Sequence, residues 1–173
     1  MLIDPHAAQR FIEGYKAVLL DLHRETGEPV QEDIVATLAS ARSHLKKNPK
    51  SLARSLATLE AAGTPVEPAV QLAMQSLRIE QWVYLRNTTR YAIFVDQAVE
   101  HAYAVRGLTN SIDEIVGGAA ATFETAIFKF EGVYVCDGIV LNPVFLGSGY
   151  KAQFNAAVAA MRKNGRFHAK CEP

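Results

Sequence analysis

The stretch from Ala121 to Gly149 constrains the fold most, because it sets the densest run of β-forming residues between turn signals. Phe123, Ile127 and other large β-formers share the run up to Phe130 with Thr122 and Thr125, a mixture that suits a pleated surface better than a helix. Glu131-Gly132 then supplies a residue that takes positive φ without steric cost, as a tight hairpin requires. Val133 to Val140 reads as the returning strand, with apolar groups on both faces, the pattern of a strand covered on both sides. Asn142-Pro143 interrupts the ladder, and Gly147-Ser148-Gly149 ends the extended segment. A helix through 120–130 is the competing reading, since Ala119 to Ala121 favours one.

The first 78 residues keep a different rhythm. Asp4-Pro5 is a helix start, with Phe11, Tyr15, Val18, Leu19 and Leu22 on one face. A second helix is expected over about 31–46, with Ile34, Leu38, Ala41 and Leu45 as its stripe. Asn48-Pro49 opens a third, whose Leu52, Leu56 and Leu59 face inward, and Glu67-Pro68 a fourth through Met74 and Leu77. Beyond that, Trp82–Leu85 and Tyr91–Val95 flank Asn87-Thr88-Thr89 as strand, turn and strand. His101–Arg106 reads as a further strand, with the end of a short helix from Asp96 as the alternative. Ser111 with Glu114 has capping-box spacing, and an amphipathic helix over about 150–163 closes the order.

The fold class is therefore α+β. A helical subdomain of about four helices, 1–80, is expected to pack on a mostly antiparallel sheet of about five strands with a covering C-terminal helix, 81–173, as one cooperative domain.

Lys plus Arg equals Asp plus Glu at 18 each, so no global field argues for nucleic acid or membrane. Cys136 and Cys171 make no disulfide framework, and neither a signal-peptide pattern nor a membrane-length apolar run is present. A cytoplasmic protein is expected, without metal or cofactor.

The run AVRGLTNSIDEIVG followed by FKFEGVYVCDGIVLNPVFLGSG resembles a pattern in bacterial proteins to which no activity is attached. It spans roughly residues 104–165, supports the element order and the bacterial reading, and carries over no catalytic residue.

Chemistry-bearing candidates are few. Asp137, on a strand end before Gly138, would form an acid/base cluster with His101, Asp113 and Glu114 if the break at 107–110 folded over the sheet. The structural alternative is that Asp137 satisfies loop N–H groups while Gly138 permits a bulge. Gly147, Ser148 and Gly149 with Lys151 resemble an anion cradle at a helix start, without the Gly-Lys-Ser/Thr of a P-loop. Arg42, Lys46, Lys47, Lys50 and Arg54, with no acid among them, would serve a helix-turn-helix, although a Pro sits in the turn and the preceding segment is acidic. Ser43-x-x-Lys46 and Ser148-x-x-Lys151 match a serine–lysine pattern too short to weigh. His168-x-x-Cys171 lacks a second ligand pair and reads as a frayed tail.

Trp82, Tyr84, Tyr91, Phe94 and Tyr103 read first as core, and as a partner surface if one face is left uncovered. The expectation is a protein-interaction or regulatory accessory module that self-associates, as a homodimer. The alternatives are a small enzyme or ligand-binding protein around Asp137 and His101, and nucleic-acid binding through 42–54.

Overall fold

The computed structural model describes residues 1–29 and 31–171, and its class is α+β. The chain divides into two compact units: His6–Ser76, and Met1–Pro5 together with the chain from Leu77 onward.

The first unit holds α1 (Pro5–Thr26), α2 (Ile34–Lys47), α3 (Ser51–Ala61) and α4 (Pro68–Gln75). Two of the proline-marked starts behave as expected, α1 at Pro5 and α4 at Pro68, whereas α3 begins at Ser51, two residues beyond Pro49. α2 starts later than position 31 because Asp33 caps it, its carboxylate accepting from the Val35 N–H at 2.9 Å. Gly14 lets α1 meet the start of α4, where a Cβ would lie 2.9 Å from Val66 Cγ1. The inward faces of α2 and α3 differ from the aliphatic stripes. Ile34 is exposed while Thr37 and Arg42 are buried; Ser51 and Ser55 are buried while Leu52 and Leu56 are half-exposed. Small hydroxyl side chains admit closer helix contact, and the Ser55 hydroxyl reaches the Val18 carbonyl at 3.4 Å.

The second unit is a barrel. Its strands are β1 (Arg78–Asn87), β2 (Ala92–Val95), β3 (Ala102–Arg106), β4 (Ala121–Phe130), β5 (Val133–Cys136), β6 (Leu141–Phe145) and β7 (Phe167–His168). They form one mixed sheet in the order β1-β2-β3-β5-β4-β6, and β1 also pairs with β4. That extra pairing closes five strands into a ring, β1-β2-β3-β5-β4-β1. β1 and β4 are antiparallel over seven residue pairs, from Arg78↔Ile127 to Tyr84↔Ala121. The register of β1 against β2 shifts between Tyr84 and Arg86, a bulge that bends β1 so that it serves both neighbours.

Two parallel pairings complete the sheet. β3 meets β5 at Val105↔Tyr134 and Arg106↔Val135, and meets β7 at Ala102↔Phe167 and Tyr103↔His168. The β4–β5 hairpin turns at Glu131-Gly132 with φ of 50° and 73°, the two positive values of a type I′ turn.

Alternation along the strands sends Trp82, Tyr84, Phe94, Tyr103, Val105, Phe123, Ile127 and Cys136 into the barrel. Their rings meet edge-on, Trp82–Tyr103 at 5.5 Å and Phe94–Phe123 at 5.9 Å. One end is plugged by α5 (Ile112–Val116), whose Ile112 and Val116 join the interior. Ser111 and Glu114 form its capping box, and Asn87 Nδ2 donates to Asp113 at the same end. The outward residues Val83, Leu85, Ile93, Val95 and Ala102 are covered by Val158 and Met161 of α6 (Ser148–Lys163).

Gly107 sets the β3–α5 corner. A Cβ there would lie 2.1 Å from the Asn110 carbonyl oxygen, and the Gly107 backbone also bonds Met1 and Ile3. Gly149, in the first turn of α6, has nothing within 4 Å of the same position. Gly107→Ala is expected to cost more than about 2 kcal/mol, and Gly149→Ala to be neutral or stabilising by up to about 1 kcal/mol, in urea unfolding.

Candidate functional site

The end of the barrel opposite α5 gathers most of the polar side chains that have chemistry to offer. Arg78 and Glu80 reach it from the start of β1, Asp96 from the β2–β3 loop, His101 and Tyr103 from β3, and His168 from β7. Arg78 forks onto the Glu80 carboxylate through Nε (3.1 Å) and Nη2 (3.2 Å), and its Nη1 donates to the Tyr103 hydroxyl at 2.6 Å. The guanidinium also lies 4.8 Å from the Trp82 ring centre. His168 stacks on Tyr103 at 4.8 Å, Tyr134 meets Tyr103 edge-on at 5.1 Å, and the His101 Nδ1 lies 2.9 Å from His168 Nε2. Asp96, nearly buried, holds its loop by accepting from the Glu100 and His101 N–H groups.

An open pocket of about 360 Å³ lies beside this cluster, lined by Arg78, Glu80, Asp96, Gln97 and Ala98. Burial, then His101, then Arg78 hold the His168 imidazole below its ordinary range, so it is a neutral donor–acceptor at neutral pH.

The cluster expected around Asp137 is not assembled. β3 and β5 run parallel with Val105 level with Tyr134. His101 lies four residues before that level and Asp137 three beyond it, which separates them by roughly 23 Å at about 3.3 Å per residue. Asp113 and Glu114 belong to α5, at the Asp137 end, where Ile115 Cδ1 comes within 3.9 Å of a Cβ built on Gly138. Each acid there has a structural engagement: Asp113 accepts from Asn87, and Glu114 accepts from the Ser111 N–H at 2.7 Å.

Asp137 Oδ1 accepts from the Thr125 hydroxyl (3.0 Å) and the Ile139 (3.1 Å) and Ala126 (3.4 Å) N–H groups. It pins the chain where β5 ends, and Gly138 follows with φ of 79°. Nearby, burial pushes the Tyr84 phenol up to about 12, with Asp113 adding to the rise.

Gly147, Ser148, Gly149 and Lys151 form the exposed first turn of α6, and no Cβ at either glycine would meet an atom within 4 Å. Neither glycine is therefore demanded by packing against the rest of the described chain. In the basic segment, Arg42 is wholly buried and Arg54 pairs with Glu25 at 3.0 Å. Lys46, Lys47 and Lys50 stay exposed, too few to make a basic face. Among the described residues no group of three or more His, Cys, Asp or Glu is placed to hold a metal ion. His168 and Cys171 do not act together: His168 turns to His101, while the Cys171 N–H bonds the Gly132 carbonyl at 3.2 Å.

A second feature lies at the far end of the strand order. Among the described residues β6 pairs with β4 alone, and its Val144 and Phe145 are each 61% exposed, followed by Tyr150 at 62%. Its Pro143 does not prevent pairing with β4, because an edge strand tolerates a missing N–H on its open side. Asn142, at φ 53°, absorbs the register shift there.

Asp137→Ala is expected to lower stability by about 2 kcal/mol, since it strands three donors. The Tm and urea midpoint of the variant read this directly, and an unchanged Tm would remove Asp137 from its structural role.

No protein-family model, no curated protein and no solved structure matches this chain.

Proposed function

We propose that this chain is a protein-interaction module of accessory or regulatory type that associates with a second copy of itself through the outer edge of β6. The observation that carries the reading is the exposure of Val144 and Phe145 on the strand that ends the sheet order, with Tyr150 exposed just beyond it in the first turn of α6. Among the described residues, no large apolar side chain of another strand is exposed. Exposed edges in soluble proteins are usually guarded by charge, yet no charged residue occurs between Asp137 and Lys151. An uncharged edge meets its own copy antiparallel across a two-fold axis without like-charge repulsion, and the same residues serve both sides. A cytoplasmic setting goes with this reading, since Cys136 and Cys171 are free thiols. No helix among the described residues is long and apolar enough to cross a membrane.

A ligand site at the polar mouth is the second reading, favoured by the pocket of about 360 Å³ beside Arg78 and Glu80. Nucleic-acid binding ranks lower. A five-stranded barrel closed in this order is built like the OB barrel, whose oligonucleotide face is that of strands 2 and 3. Here Ile93, Val95 and Ala102 of that face lie beneath α6, and the basic segment has lost Arg42 to the interior.

Light scattering over a range of concentrations is expected to give twice the chain mass. The double variant Val144→Asp/Phe145→Asp should be monomeric, with stability changed by no more than about 0.5 kcal/mol, as for other exposed positions. A wild-type chain that stays monomeric at every concentration overturns the reading.

A further inference from the structure

We propose that His101 and His168 form a proton-operated latch that holds β7 to the barrel at neutral pH and releases it on mild acidification. β7 is only two residues long. Its backbone attachment is the pairing of Phe167 and His168 with Ala102 and Tyr103, together with the Ala102 N–H bonded to the Arg166 carbonyl at 3.0 Å. Side chains reinforce it: Phe167 packs on Tyr91 and under Arg162, and His168 stacks on Tyr103 and shares a ring bond with His101 at 2.9 Å, the contact that depends on protonation. A ring bond between imidazoles needs a hydrogen on one facing nitrogen and a lone pair on the other. A neutral or singly protonated pair meets that condition. A doubly protonated pair sets two N–H groups and two positive charges face to face, and the bond is lost.

The surroundings bias His168 toward its neutral form. Facing His168 are Arg78 and Glu80 of β1, Asp96 of the β2–β3 loop, His101 and Tyr103 of β3, and Tyr134 of β5. The Arg78 charge opposes a second cation, Asp96 favours one, and partial burial strengthens the opposition. Glu80 is already engaged by the Arg78 fork. The folded imidazole thus takes up a proton less readily than His168 in a detached β7. Attachment is complete above the ordinary histidine range and weakens as pH falls below about 6.5.

Release would free Phe167–Cys171 from the seam between β3 and β5 and uncover the Tyr103 ring, while the β1–β4 closure stays intact. The group is distinct from the β6 edge, so the latch stands or falls separately from self-association.

Hydrogen exchange of the intact chain, corrected for intrinsic rates, tests this at about pH 7.5 and about pH 5, on either side of histidine titration. Protection of the Ala102–Arg106 amides is expected to fall several-fold at the lower pH while the Ala121–Phe130 amides keep theirs. His168→Phe, which retains a ring against Tyr103 without a titrating nitrogen, should show no such fall, and in His101→Asn, where burial and Arg78 still act on His168, the fall should be smaller. Equal protection of Ala102–Arg106 at both pH values, a parallel loss in β4, or an undiminished fall in both variants overturns the proposal.

Discussion

The barrel depends on one strand bonding on both sides. β1 contributes its first seven residues to β4 and its last five to β2, overlapping at Val83 and Tyr84. A flat strand of ten residues would carry the sheet outward. The bulge between Tyr84 and Arg86 adds local twist, turning the second half of β1 toward β2 while the first half stays on β4. Closure then removes the two edges that β1 and β4 would otherwise expose. It also encloses a space that only large side chains fill, and Trp82, Tyr84, Phe94, Tyr103 and Phe123 fill it.

That filling explains why the mouth is polar. β1 alternates Arg78, Glu80, Trp82 and Tyr84 on its inward side, so one face passes from an ion pair to an aromatic core within seven residues. Arg78 stays at the rim because its guanidinium is satisfied there by Glu80, Tyr103 and the Trp82 ring; moved further in, its charge would be desolvated without equivalent partners. At the opposite end α5 closes the barrel with Ile112 and Val116 and leaves no comparable rim.

Local signals in the chain were legible, and the long-range pairings were not. Proline and capping residues located the helix starts, the Glu131-Gly132 turn formed the hairpin, and the α+β class follows from the change of period. Closure was hidden, because β1–β4 pairing joins residues about forty positions apart and leaves no local mark. β6 was missed since Asn142-Pro143 reads as a stop, yet a proline costs little on a strand whose outer side makes no ladder. His101 and His168 are 67 residues apart, and nothing near either marks the other. The alternation of Arg78 and Glu80 ahead of Trp82 was the one local hint of the mouth. Arg42 shows the opposite failure: a basic run in sequence need not be a basic surface when one turn of helix carries a member inward.

The two places proposed for function are the two places where the ring is imperfectly closed. β5 lies beside β3 over only Val105 and Arg106, because the Glu131-Gly132 turn delays the start of β5 to Val133 and β3 ends at Arg106. The rest of that side of β3 would be bare at Ala102 and Tyr103, and a two-residue strand from beyond α6 covers it. So short a strand gains little from its backbone bonds, so its side chains, Phe167 against Tyr91 and His168 against Tyr103 and His101, decide whether it stays. β6 takes the other half of the β4 flank and, among the described residues, has no strand on its outer side. The late start of β5 thus leaves the seam that a proton can open, while its early end at Asp137, the carboxylate weighed as both an acid/base and a structural group, leaves β6 the flank whose outer edge a second copy can pair with.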